Sequence, residues 1–206
     1  MSILVKICGL TDDKAVQAAV DAGADAVGFV FYDRSPRNLS PEKAARLAAN
    51  VPANVRRIAV MLHPDAGLWN EVSDALKPDV VQTDFDDFSY LQVDEGITKW
   101  PVLREGSVAA LKELPATFVY EGTQSGHGQT VDWNAAAAIA RRGKMILAGG
   151  LTIENVAEAI SKVAPYGVDV SSAVESERGK KDVELIAAFV TAAKAAELTL
   201  SERQPS

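Results

Sequence analysis

The sequence predicts an α/β protein folded as a single (β/α)8 barrel, a TIM barrel with a parallel eight-stranded core, and three observations support this. Short apolar runs alternate eight times with Ala-rich amphipathic segments along the chain. Its 206 residues suffice for one well-buried core and are too few for two ordinary domains. No G-x-G-x-x-G or G-x-x-x-x-G-K-[ST] follows the first apolar run, where an open nucleotide-binding sheet carries its phosphate loop. The barrel domain is expected over 1–197, with 198–206 a frayed C-terminal tail.

Strands are expected at Ile3–Cys8, Ala26–Val30, Arg57–Met61, Val80–Gln82, Pro101–Leu103, Thr117–Glu121, Met145–Ala148 and Val168–Ser171. Each is short and nearly continuously apolar, as strands covered on both faces must be. The helical segments between them are Asp12–Ala22, Pro41–Ala49, Pro64–Leu76, Ser107–Glu113, Asn134–Arg141, Ile153–Val163 and Val183–Ala196. The fourth crossover, Phe85–Leu91, is too irregular for a helix. Thr11, Ser40, Asp132 and Thr152 stand where an N-cap oxygen would accept from an orphan N–H of the first turn.

Composition excludes several function classes. A net charge of −7 argues against a nucleic-acid backbone as partner, which needs clustered Lys and Arg on one face. There is no eighteen-residue apolar run and no basic region followed by an apolar signal segment, so no membrane association and a cytoplasmic location are expected. Monomer and homodimer both fit this composition. A single cysteine cannot form an internal disulfide, and with only His63 and His127 no Cys/His zinc spacing exists.

A barrel gathers the carboxyl ends of its strands on one face, so its candidate chemistry is confined to known positions. The loops after strands 7 and 8 carry Gly149-Gly150 and Ser171-Ser172-Ala173. Backbone N–H groups of such small residues can approach a phosphate, and two such loops on adjacent strands favour one. Cys8 ends strand 1 with Lys6 one step deeper on the same face. The cysteine is either a packing residue or a reactive one whose thiolate the ammonium favours, and Lys6 is equally readable as a structural ion pair. Glu121 ends strand 6, about half a turn of the barrel away, as either a solvated rim carboxylate or an acid. Arg37 follows a Ser-Pro turn and has the planar fork that suits a carboxylate, while His63 before Pro64 should start a helix. His127 lies between Gly126 and Gly128 after strand 6.

Taken in order, Lys6-Ile7-Cys8-Gly9-Leu10-Thr11, Ser35-Pro36-Arg37, Gly126-His127-Gly128-Gln129, Ala148-Gly149-Gly150-Leu151 and Val168-Asp169-Val170-Ser171-Ser172 resemble the phosphoribosylanthranilate isomerases of tryptophan biosynthesis. The opening K-I-C-G-L-T and the closing V-D-V-S-S-x-V-E-S are specific in combination. The resemblance implies an Amadori rearrangement of a small phosphorylated substrate, N-(5-phosphoribosyl)anthranilate, without metal or organic cofactor. By residue, it implies Cys8 as general base, Glu121 as general acid, Arg37 near the anthranilate carboxylate and Asp169 facing the substrate. Gly149, Gly150, Ser171, Ser172 and Ala173 would form the phosphate cradle. Three departures stand out: Glu121 replaces an aspartate, Gln82-Thr83-Asp84 stands where Q-L-H-G is common, and Ala173 replaces a glycine. If residue 173 needs φ > 0, its methyl strains the backbone and crowds a phosphate oxygen. A related sugar isomerase of histidine biosynthesis would show two similar halves with an aspartate in each; no such repeat is visible, and Cys8 occupies the first aspartate's place.

Overall fold

A computed structural model of the chain describes residues 3–108, 111–122 and 131–202. Eight parallel strands close into a barrel in sequence order: β1 (Leu4–Cys8), β2 (Ala26–Phe31), β3 (Arg56–Met61), β4 (Val80–Asp84), β5 (Thr98–Arg104), β6 (Thr117–Glu121), β7 (Lys144–Leu147) and β8 (Gly167–Val170). Six α-helices among the described residues cover the outside: α1 (Asp13–Asp21), α2 (Pro41–Ala48), α3 (Ala66–Leu76), α4 (Trp133–Ala140), α5 (Val156–Val163) and α6 (Val183–Glu202). A two-stranded hairpin, β9 (Glu175–Glu177) with β10 (Lys180–Lys181), follows β8. The last helix continues past residue 197 into the segment expected as a tail, and 203–206 lie outside the described residues.

Period-2 alternation turns every second side chain of each strand into the barrel. The lower interior is dry, filled by Leu4, Ala26, Ile58, Val80, Trp100, Val119 and Ile146. The alternate residues, among them Val5, Val27, Ala59, Val81, Phe118 and Met145, join the helices in the outer core. Burying each larger apolar side chain contributes roughly 1.5–3 kcal/mol, so the packed layers hold the barrel while its upper rim is free to be polar. α6 packs on both α5 and α1 and so closes the helical ring where the strands close.

Several local expectations give way to the structure. The first helix is capped by Asp12, which accepts from the Ala15 amide, in place of Thr11, and the fifth starts after Asn155 in place of Thr152, without a side-chain capping bond. His63 does not start a helix: it sits at φ 48°, and Asp65 caps α3 two residues later. Of Ser107–Glu113, Ser107 lies in a turn, Val108 is 3-10 helical and 112–113 form a bend, while 109–110 lie outside the described residues. The fourth crossover is a 3-10 turn, Phe85–Ser89. β5 starts three residues earlier than its apolar run and ends on Arg104, because strand pairing with β4 and β6 continues through polar residues.

Candidate active site

The strand ends open into a cavity of about 320 Å³. Cys8, Arg37, Glu121, Gly149, Gly150, Asp169, Ser171 and Ser172 all line it. Cys8 on β1 and Glu121 on β6 stand three strands apart around the closed ring. The strand 6 loop residues Gly126, His127 and Gly128 lie outside the described residues.

Beneath Cys8, registry of β1 with β8 sets Lys6 against Asp169. The fully buried ammonium is 2.7 Å from Asp169 Oδ2, so the expected ion pair is present. Burial lowers the Lys6 pKa, but Asp169 and Cys8 together raise it above the ordinary value. Lys6 favours the thiolate of Cys8, as expected, but does not decide its pKa alone. Burial pushes the Cys8 pKa up, Lys6 and Lys181 pull it back only in part, and Asp169 adds to the rise. Gly28 makes this packing possible: a Cβ there would lie 3.1 Å from Cys8 Sγ and 3.3 Å from Lys6 Cε. Among the described residues, Asp169 keeps one buried oxygen, Oδ1, without a hydrogen-bond partner, as does Gln82 Oε1 on β4. Both residues line the cavity, so two desolvated acceptors await donors there.

Glu121 is held by a residue the sequence reading passed over. Arg104, its registered neighbour on β5, places Nη1 2.6 Å from Glu121 Oε1 and Nη2 2.5 Å from Asp84 Oδ1 at the end of β4. Asp84 Oδ2 in turn lies 3.5 Å from His63 Nε2. The other imidazole nitrogen meets Asp87 at 2.9 Å, and this buried carboxylate also accepts from Thr83 and Tyr90. The Asp87 bond raises the His63 pKa above its ordinary value.

Arg37 is buried and its fork is already engaged. Nε and Nη2 donate to Glu175 at 2.6 and 2.8 Å, leaving the Nη1 edge for another anion. Glu175 also accepts from Lys181 at 2.7 Å and from the Gly179 amide at 3.0 Å. Burial alone would raise the Glu175 pKa, but Arg37 and Lys181 bring it down to about 2. This knot fastens the β9–β10 hairpin to Arg37 of the strand 2 loop, and both Arg178 of the hairpin and Arg34 line the cavity. Neither rim arginine makes an ion pair among the described residues. Gly9, at φ 75°, clears the way for Arg37: a Cβ would stand 2.4 Å from its Cδ.

The loops after β7 and β8 meet the cavity with small residues. Gly149 and Gly150 both have positive φ, and Asn155 braces their loop by donating from Nδ2 to the Gly150 carbonyl at 2.9 Å and accepting from the Thr152 amide. Ser171 Oγ donates to the Cys8 carbonyl at 3.1 Å, so its hydroxyl ties β8 to the cysteine. Ala173 is not brought to the cavity. It lies in a 3-10 turn without positive φ, and its methyl packs on the outer core. The strain expected there is therefore absent.

The profile of the N-(5'-phosphoribosyl)anthranilate (PRA) isomerase family matches residues 5–192. The N-(5'-phosphoribosyl)anthranilate isomerase of Pelobacter propionicus is 38% identical over 202 residues, covering 93% of this chain and 96% of its own. TrpF from Jonesia denitrificans superposes with a TM-score of 0.80 at 33% identity, covering 95% of this chain and 98% of its own. A phosphoribosyl anthranilate isomerase in complex with reduced 1-(o-carboxyphenylamino)-1-deoxyribulose 5-phosphate gives a TM-score of 0.80 at 31% identity over 94% of this chain and 99% of its own.

Proposed function

The chain belongs to the N-(5'-phosphoribosyl)anthranilate isomerase family, and on that premise we propose how its cavity performs the rearrangement. It is an isomerase of tryptophan biosynthesis that converts N-(5'-phosphoribosyl)anthranilate to 1-(2-carboxyphenylamino)-1-deoxyribulose 5-phosphate. The observation that carries the mechanistic reading is that Cys8 and Glu121 face one cavity from β1 and β6, with phosphate-sized loops on β7 and β8 between them.

Glu121 protonates the ribose ring oxygen, the C1–O bond breaks, and the nitrogen lone pair forms a protonated Schiff base. Cys8, as thiolate, removes the C2 proton. The electrons of that C–H bond become the C1=C2 bond of an enolamine, and the former Schiff-base π electrons return to nitrogen. Loss of the C2 hydroxyl proton with protonation at C1 then gives the ketone. A buried thiol with a raised pKa is sparsely ionised but a strong base once ionised. Lys6 compensates the charge that forms on sulfur.

The phosphate rests on Gly149, Gly150, Ser171 and Ser172, where main-chain N–H groups provide donors without bulk. The sugar hydroxyls donate to Asp169 Oδ1 and Gln82 Oε1, which removes the cost of two unpaired buried acceptors. The anthranilate carboxylate lies toward the strand 2 loop, where Arg37 Nη1 and the rim arginines 34 and 178 supply positive charge. Among the described residues no helix is long and apolar enough to cross a membrane, and a biosynthetic enzyme acting on a charged metabolite is assigned to the cytoplasm. Turnover of freshly generated N-(5'-phosphoribosyl)anthranilate by Glu121→Gln tests the acid. Severe loss with retained product binding is expected, and wild-type turnover would remove Glu121 from the reaction.

A further inference from the structure

Glu121 has one more methylene than an aspartate would have, and so one more rotatable bond between backbone and proton. An acid on such an arm needs something to aim it. The structure provides a guanidinium whose two terminal nitrogens hold two carboxylates at once, Glu121 at 2.6 Å and Asp84 at 2.5 Å. Asp84 belongs to the Gln82-Thr83-Asp84 segment that departs from Q-L-H-G, and its second oxygen is turned toward His63, which is anchored on buried Asp87. Two departures thus meet in one cluster, the longer acid and the aspartate that stands in the strand 4 loop.

We propose that Arg104 and Asp84 are positioning residues that aim Glu121 and allow it to keep a proton beside a cation, an inference that rests on Glu121 being the ring-opening acid. A planar guanidinium engaged at two nitrogens has little freedom to swing, so the Glu121 carboxyl inherits a fixed direction. Charge balance supplies the second half of the argument. A half-buried arginine with Glu121 as its sole partner would be left unpaired whenever Glu121 took up a proton, and the pair would stay ionised. With Asp84 on the other nitrogen, Arg104 stays neutralised in the protonated state. When Glu121 delivers its proton to the ring oxygen, the carboxylate that remains lies against Nη1. The clamp therefore persists through both protonation states, and its registry is built into neighbouring strands.

Among the described residues, the charged and titratable groups bearing on Glu121 come from several sides of the cavity. Arg104 and Asp84 are adjacent, His63 stands behind Asp84, and Cys8 and Asp169 face it from β1 and β8 over Lys6. Arg34, Arg37 and Arg178 stand at the rim, and Glu105 lies just past Arg104, where its amide donates to the Glu121 carbonyl. Among these, Arg104 and Asp84 oppose each other in sign at contact range, so their removal has opposite consequences.

The test is the pH profile of kcat in the wild type, Asp84→Asn, Arg104→Gln and Glu121→Gln, with binding of the reduced product analogue as the check on folding. In Asp84→Asn more of the charge of Arg104 bears on Glu121, so the limb set by Glu121 moves down by about one pH unit and turnover near neutrality drops about tenfold. In Arg104→Gln that limb moves up, and maximal turnover falls roughly 10- to 100-fold because the arm is no longer aimed. Asp84→Glu, which keeps the charge, should restore the limb toward its wild-type position. Limbs that stay at the wild-type position in both variants, or that move in the same direction, overturn the clamp. Should Arg104→Gln fail to fold, Asp84→Asn decides alone. Full activity in Glu121→Gln would instead overturn the acid assignment; an inactive Glu121→Gln beside unchanged clamp variants would overturn only the clamp.

Discussion

Replacing Glu175 by Gln takes one carboxylate out from between two buried cations. The side chain is 4% exposed, receives both fork nitrogens of Arg37 and is 2.7 Å from Lys181 Nζ. Its pKa falls from the ordinary 4.5 to about 2 in the folded protein. At about 1.4 kcal/mol per pH unit, that shift corresponds to on the order of 3 kcal/mol of folded-state preference for the carboxylate. Breaking a buried pair by removing one partner costs about 3–5 kcal/mol, which agrees in size. For a domain of this length the loss lowers the melting temperature by roughly 10 °C. Because the folded pKa is depressed, the contribution is fully present above the unfolded value and disappears as pH falls through the folded one. Urea unfolding of wild type and Glu175→Gln between pH 2 and 8 should therefore show a constant gap of about 3 kcal/mol above roughly pH 5 that closes toward pH 2. A gap below about 1 kcal/mol at pH 7, or one that widens on acidification, refutes the reasoning. The variant also releases the Arg37 fork, so its KM for substrate should change together with its stability.

Two further outcomes follow from the same geometry. Lys6→Met removes the cation that pulls the Cys8 thiol down, so the limb of the turnover profile set by Cys8 should move to higher pH; a limb that stays in place would show that Lys6 acts only in packing. Ala173→Gly should lower the melting temperature through a freer unfolded chain, by about 0.4–1 kcal/mol of stability, without tightening product binding, because residue 173 has no positive φ and its methyl lies on the core. Tighter binding measured by calorimetric titration would put the methyl back against the phosphate.

The barrel is legible because strands buried on both faces leave continuous apolar runs, and β1, β2, β3, β4, β6, β7 and β8 lie within a residue or two of their expected bounds. β5 was truncated because Thr98, Lys99 and Arg104 pair as strand while facing polar surroundings, a distinction that hydropathy does not make. Cys8, Glu121 and Asp169 could be placed by chain position alone, since period 2 and the strand end fix where such a side chain points. The partners could not. Arg37 and Glu175 are 138 residues apart, and Arg104 meets Glu121 only through strand register. The net direction of the Cys8 pKa is hidden for a related reason: Lys6 is visible beside Cys8 and does pull the thiol down, but the burial that outweighs it is a property of the packed barrel. Arg104 and Asp84 carried a usable signal, being charged residues at strand ends on the catalytic face.

The central claim is that Cys8 is the base that removes the C2 proton, and Cys8→Ser tests it most directly. Serine keeps the shape of the side chain and loses most of its acidity, so turnover and binding should separate. Affinity for reduced 1-(o-carboxyphenylamino)-1-deoxyribulose 5-phosphate should stay within about twofold, while kcat falls on the order of 100- to 10,000-fold, the range associated with one general base. Turnover within about tenfold of wild type at unchanged affinity would leave Cys8 a packing residue and contradict the account.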